Sequence, residues 1–121
     1  LLRPGGALQP IQPPLTQHEE QKIDACYEQL QNHLSMPPSL LELAKQCGLS
    51  VYRLKNGFRA RYGDTPFRIL TELRMLQAKS LLEKGELNVS EIAFEVGYQS
   101  LGTFSNTFYE RFGTRPSTYR R

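Results

Sequence analysis

Tyr52, Lys55, Asn56 and Arg59 fall on one face of the helix that their spacing predicts, with Arg53 at its margin. Gly102, Ser105, Asn106 and Tyr109 repeat the arrangement fifty residues further on, with Thr103 at the margin. Rows of basic groups, amides and hydroxyls suit one kind of chemistry. They can exchange hydrogen bonds with base edges and phosphates in a DNA major groove, which is wide enough to admit a helix. A catalytic or metal site has no comparable support. His18 and His33 both fall in the first predicted helix, fifteen residues and roughly 22 Å apart, too far to share a metal, and each reads as a surface histidine. The sequence has no phosphate-cradling glycine loop, and no Ser, His and Asp set can be argued from spacing. The expectation is a non-enzyme with no catalytic residue, metal or cofactor.

The elements that must position these two rows are copies of each other. Leu43, Ala44, Cys47, Gly48, Leu49 and Ser50, followed by Leu54, Asn56, Phe58, Arg61, Tyr62, Gly63 and Pro66, return as Ile92, Ala93, Val96, Gly97, Tyr98 and Ser100, then Phe104, Asn106, Phe108, Arg111, Phe112, Gly113 and Pro116. The offset is 49 before the turn and 50 after it, so the second turn holds one extra residue. Each copy has the pattern of a helix-turn-helix. Ser39 with Glu42 and Asn88 with Glu91 are capping boxes that open the first helix of each copy. Gly48 and Gly97 follow the last apolar position, where a helix ends best with a residue that tolerates positive φ. Ala44 and Ala93 are small enough for two crossing helices to approach closely. Ser50 and Ser100 suit the N-caps of the second helices, which end at Gly63 and Gly113. On a helical wheel Val51, Leu54 and Phe58 make a buried stripe, and Leu101, Phe104 and Phe108 repeat it.

Thr16 with Glu19 forms another capping box, and Ile23, Cys26, Tyr27, Leu30 and Leu34 continue at helical spacing to Met36-Pro37-Pro38. Between the two copies Thr65-Pro66 supplies a cap and a first-turn proline, and Phe67 to Lys84 runs without a breaker until Gly85. Eighteen residues make a rod of roughly 27 Å, which suits a spacer holding two recognition helices about one DNA turn, or roughly 34 Å, apart. Arg115-Pro116 mirrors Thr65-Pro66 and starts a short last helix. The sequence thus divides into a linker tail over 1–15, a first helix-turn-helix subdomain over 16–64, a linker helix over 65–84 and a second subdomain over 85–121. No strand is convincing, and the fold class is all-α with about seven helices.

At 121 residues, 39% of them apolar, the chain suffices for modest helical cores and has no run long enough to span a membrane, so a soluble, cytoplasmic protein is expected. Its net charge of +3 is unevenly placed: residues 1–47 carry −2 and residues 48–121 carry +5. Much of the excess is Arg53, Lys55, Arg59 and Arg61, with no acid between Gly48 and Gly63, which marks one helix face as a polyanion contact. The stretch from Leu1 to Pro14 holds four prolines and two glycines and reads as the end of a linker from a longer protein. Cys26 and Cys47 lie in different helices without zinc spacing and are expected as reduced thiols, Cys47 at the core position that Val96 takes in the second copy.

From about Ser39 to Arg120 the sequence resembles the DNA-binding domain of AraC/XylS-type transcriptional regulators. The most specific stretch is Ser90 to Ser100 with Glu91, Ile92, Ala93, Val96, Gly97 and Tyr98, then Thr103, Phe104, Ser105, Phe108, Arg111, Phe112, Gly113, Pro116, Tyr119 and Arg120. The resemblance implies two helix-turn-helix units, joined by a long helix, that insert into adjacent major grooves of double-stranded DNA. It further implies contact with RNA polymerase by an activator, and an effector ligand sensed through a separate N-terminal domain. It favours Tyr52, Arg53, Lys55 and Asn56, and Leu101, Gly102, Thr103, Ser105 and Asn106, as groove-facing. With Arg59, Tyr109 and the capping Ser50 and Ser100, these form the candidate DNA-binding set. Asn56 and Asn106 can each pair with N6 and N7 of adenine, or meet only solvent or a phosphate. Arg53 and Lys55 read guanine or clamp phosphate, the latter being the commoner outcome. Gly57, inside the first recognition helix, either permits close packing or marks a weakly formed helix, and Gly102 leaves the second helix with fewer base contacts. The rival expectation is a helical protein-interaction module that does not bind DNA.

Overall fold

The computed structural model describes residues 14–120, and among these it contains seven helices and no strand. The helices are α1 (Gln17–Asn32), α2 (Leu40–Cys47), α3 (Val51–Tyr62), α4 (Pro66–Lys84), α5 (Val89–Glu95), α6 (Leu101–Phe112) and α7 (Pro116–Arg120). The start of the expected linker tail, through residue 13, lies outside the described residues. The cap residues act as their sequence positions demand. Thr16, Ser39 and Asn88 close reciprocal capping boxes with Glu19, Glu42 and Glu91, and Ser50, Thr65 and Ser100 accept from Arg53, Arg68 and Thr103 backbone N–H groups. Each cap satisfies an N-terminal donor that would otherwise lack a helical partner. His33 lies one residue beyond α1, with Nδ1 2.9 Å from the Gln29 carbonyl oxygen.

Two hydrophobic cores form. Ile23, Cys26 and Leu30 of α1, Leu43 and Ala44 of α2, Leu54 and Phe58 of α3, and Leu70 of α4 make the first. Met75, Ala78 and Leu82 of α4, with Ile92, Ala93, Val96, Phe104 and Phe108, make the second. Helix α4 is therefore more than a spacer: one end closes the first core and the other founds the second. Its place in the second half matches that of α1 in the first. Arg61 of α3 makes two hydrogen bonds to Asp24 of α1, at 3.0 and 2.9 Å, and its counterpart Arg111 of α6 makes two to Glu72 of α4, both at 2.7 Å.

Gly57 is buried, and a Cβ there would lie 2.4 Å from Ile23 Cδ1 and 2.8 Å from its Cγ1. Of the two sequence readings for this glycine, close packing of α3 on α1 is the one the structure bears out. The two halves also meet directly. Arg74 of α4 donates from Nε and Nη2 to the Leu34 carbonyl at 3.0 and 2.8 Å, and its guanidinium lies 5.3 Å from the centre of the Tyr98 ring. Gly97 takes φ +106°, and a Cβ there would come within 2.6 Å of both the Leu34 oxygen and Arg74 Nη2. The turn of the second unit thus fits against the joint only as glycine.

Cys26 and Cys47, expected as reduced thiols, are instead paired as a disulfide. The crossing of α1 with the end of α2 brings their Cα atoms to 6.4 Å, within the span of a disulfide bridge. The second half has Val96 in the place of Cys47, fully buried and apolar.

Candidate nucleic-acid interface

On α3, Tyr52, Lys55 and Arg59 are exposed, as is the cap Ser50. Lys55 also borders an apolar cleft walled by Pro38, Leu43, Pro66 and Phe67. Arg53 is only partly exposed, since it reaches back to α1 and donates to Glu19 Oε1 at 3.0 Å. The Glu19 carboxyl is held below its usual range first by the Thr16 backbone N–H and then by Arg53. Asp24 is likewise held down, first by Arg61 and then by the Tyr62 hydroxyl, which donates to it. Burial, followed by that hydrogen bond, pushes the Tyr62 hydroxyl above its ordinary value. Of the basic run, Arg53 and Arg61 are thus engaged by carboxylates of α1, while Lys55 and Arg59 make no ion pair among the described residues.

Asn56 departs from the expected outward orientation. It is half-buried, and its Nδ2 is enclosed without a hydrogen-bond partner among the described residues. An enclosed amide donor left unpaired costs about 1–3 kcal/mol.

On α6, Ser100, Gly102, Thr103 and Asn106 are exposed, Tyr109 is half open to solvent and Ser105 is partly covered. Leu101, which the wheel places on the buried stripe, is 48% exposed. In the first half both Leu49 of the turn and Val51 pack against the core, whereas in the second half Tyr98 of the turn packs against its core and Leu101 does not. A Cβ on Gly102 would meet only Ser100 Oγ, at 3.7 Å, so this glycine leaves a bare surface that no packing requires.

Sequence reasoning missed one residue on this face. Arg115, just before α7, donates from Nη1 to Asn106 Oδ1 at 2.8 Å and to Ser105 Oγ at 3.3 Å, and its guanidinium lies 4.8 Å from the centre of the Tyr109 ring. The repeat carried a signal for it. The equivalent residue of the first half, Thr65, caps α4, and an arginine has no acceptor with which to do the same.

Among the described residues no group of three or more His, Cys, Asp and Glu is placed to hold a metal ion, and no helix is long and apolar enough to cross a membrane. The geometry is that of two outward helical surfaces, each on a helix-turn-helix with its own core.

Residues 43–121 match the model of a helix-turn-helix domain family. The chain is 32% identical over 101 residues to the regulatory protein SoxS of Salmonella typhimurium, covering 84% of this chain and 94% of that protein. It is 33% identical over 81 residues to the virulence regulon transcriptional activator VirF of Yersinia enterocolitica, covering 67% of this chain. It spans only 30% of the length of VirF, and no more than that of several other relatives it matches. The structure is similar to that of the DNA-binding domain of the global transcriptional factor AdpA in complex with a target DNA, with a TM-score of 0.76 and 27% identity, covering 82% of this chain and 89% of that one. The matched helix-turn-helix model, the near full-length match to SoxS and the seven-helix fold with two units together show that this chain belongs to the AraC/XylS family of transcriptional regulators.

Proposed function

We propose that this chain binds double-stranded DNA sequence-specifically, with α3 and α6 entering adjacent major grooves on one side of the duplex, as the DNA-binding part of a bacterial transcription activator. The observation that carries the reading is the likeness to the AdpA domain bound to its target DNA, across most of both chains. The length of α4 agrees with it: nineteen residues span roughly 28 Å, close to one turn of the duplex.

Lys55 and Arg59 supply phosphate contacts from the first unit. Ser50, Tyr52, Arg53 and Asn56 complete that surface, and Ser100, Leu101, Gly102, Thr103, Ser105, Asn106 and Tyr109 form the second. For Asn56 the enclosed, unpartnered amide supports a role outside folding, because stability alone would favour a residue without that cost. Turning outward to a base edge gives both ends of the amide a partner. The activator role is supported by the likeness to VirF, named as a transcriptional activator. Contact with RNA polymerase in the cytoplasm belongs to the same reading, as does control by an effector through a further domain, for which relatives much longer than this chain leave room.

The test is a fluorescence titration with labelled duplex at two salt concentrations. Binding that weakens steeply with salt is expected, because each neutralised phosphate releases counterions. The slope should fall by about one for Arg59→Ala, which should weaken all sequences alike. Absence of duplex binding, or binding indifferent to salt, overturns the reading.

A further inference from the structure

Arg115 sits where the internal repeat calls for a helix cap, and it lies on the recognition surface instead. In the first half Thr65 accepts from the Arg68 backbone N–H at 3.3 Å and starts α4. Arg115 opens α7 from the same place in the repeat, and its side chain folds back over α6. It makes no ion pair with a carboxylate among the described residues. By contrast Arg111, the one basic residue of α6 itself, is held by Glu72. Among the described residues, Arg115 therefore brings positive charge to this face from outside the recognition helix.

The contact also fixes the amide of Asn106. A guanidinium has donors only, so the atom of Asn106 that faces Arg115 must be the oxygen, and Nδ2 is left to point away. A free asparagine suits adenine because it offers one acceptor, for the N6 amino group, and one donor, for N7. Here the acceptor end is already engaged by Arg115. What remains for a base is a set of donors: the Asn106 amide N–H groups and the unused N–H groups of the guanidinium, which the Tyr109 ring and Ser105 help to hold in place. A guanine edge presents two acceptors, O6 and N7, in the major groove, and it matches such a set.

On the reading that α6 enters a major groove, we infer that Arg115 and Asn106 act as one composite reader that selects guanine in the second half of the binding site. Asn56 in the first half has Thr65 rather than an arginine at the corresponding place, and its preference is not bound in this way. Arg115 is thus a specificity-determining residue contributed by the segment after the recognition helix.

The test is selection of binding sites from random duplexes by the unaltered chain, by Arg115→Thr and by Arg115→Lys. The threonine variant restores the residue of the first half and provides a cap for α7, and a thermal melt checks that it folds. The unaltered chain should prefer guanine over adenine at one position of the second element by about 5- to 150-fold. Arg115→Thr should lose that preference and shift toward adenine, with the first element unchanged. Arg115→Lys keeps the charge without the planar fork and should lose most of the preference too. Unchanged base preferences in Arg115→Thr would overturn the inference. So would a uniform loss of affinity on all sequences with a salt slope smaller by about one, the mark of a phosphate clamp. If the unaltered chain selects no sequence at all, the DNA-binding reading falls and this inference falls with it, a failure visible without either variant.

Discussion

The two halves of the molecule are built on one plan and spend their basic residues differently. In the first, the cations lie on the recognition helix, yet Arg53 and Arg61 are drawn back to Glu19 and Asp24 of α1, and Lys55 and Arg59 remain without an ion pair among the described residues. In the second, α6 has a single basic residue, Arg111, tied to Glu72, and Arg115 from beyond the helix is an exposed cation without an ion pair among the described residues. The halves also differ in how they are held together: a disulfide links α1 to the end of α2, whereas Val96 fills the corresponding place by packing. A repeat thus conserves geometry while leaving charge, bracing and polar contacts free to diverge. The invariant features are those that fix a helix crossing: the cap serines, the small alanines and the paired arginines behind each recognition helix.

The largest expected break in this comparison is chemical. Reducing Cys26–Cys47, which closes a loop of 21 residues, should lower unfolding stability by about 3 kcal/mol on chain-entropy grounds. Urea denaturation with and without a thiol reductant measures it, and an unchanged midpoint would mean that packing alone braces the first half as it does the second. In a reducing compartment the reduced form is the resting one.

Next comes the enclosed asparagine of the first half. Asn56→Ala should weaken binding to a selected duplex by about 1–3 kcal/mol and relax discrimination at one base pair, and it should leave stability unchanged or slightly higher because its amide nitrogen has no partner to lose. A calorimetric melt beside a binding titration separates the two effects. A clear loss of stability would show that Asn56 is a folding residue.

The glycines sharpen the contrast with opposite signs. Gly57→Ala drives a Cβ against Ile23 and should destabilise the chain by about 1–2 kcal/mol despite the gain in helix propensity. Gly102→Ala makes only an ordinary contact with Ser100 Oγ and should stabilise it by a few tenths to about 1 kcal/mol. Denaturation midpoints of the pair decide this, and equal shifts of the same sign would contradict the packing described for α3 on α1.

The smallest effect is acid sensitivity, common to both halves. Arg61 holds the Asp24 carboxyl, and Arg111 the Glu72 carboxyl, below ordinary values of 3.8 and 4.5. Lowered carboxyl pKa values favour the folded state above the unfolded pKa, and that contribution disappears as pH falls through the folded one. Melting temperature should therefore drop on acidification below about pH 5, and less steeply in Asp24→Asn or Glu72→Gln. Because these pairs are substantially exposed, the change should be modest and should shrink in high salt. Identical pH profiles for the variants and the parent chain would assign the acid response elsewhere.

Much of the fold was legible because its signals are local. Thr16 with Glu19 or Ser39 with Glu42 needs only three residues to announce a helix start, and Gly63 and Gly113 end helices in the left-handed conformation they alone adopt easily. What depends on packing between distant segments was less visible. Nothing near Cys47 indicates that α1 will lay Cys26 beside it, and a helical wheel treats Leu101 like Val51 although only Val51 packs against a core. The engagement of Arg53 by Glu19 and the enclosure of Asn56 are likewise products of the crossing of α1 and α3. Arg115 lay between these cases. Its mismatch with Thr65 could be read in the repeat, but the reach of its side chain to Asn106 could not.

Spacing tests the central claim most directly: α3 and α6 read neighbouring grooves from one side of the helix. The measurement is affinity for a selected duplex with five, and then ten, base pairs inserted between its two elements. Five base pairs turn the second element to the far side of the DNA, and both insertions move it beyond the reach of α4. Affinity should therefore fall in both cases to the level of an isolated first element, roughly 100-fold or more weaker if the second contributes about 3 kcal/mol. Equal affinity for the parent and inserted duplexes would contradict the claim, since the two surfaces would then not be engaged together.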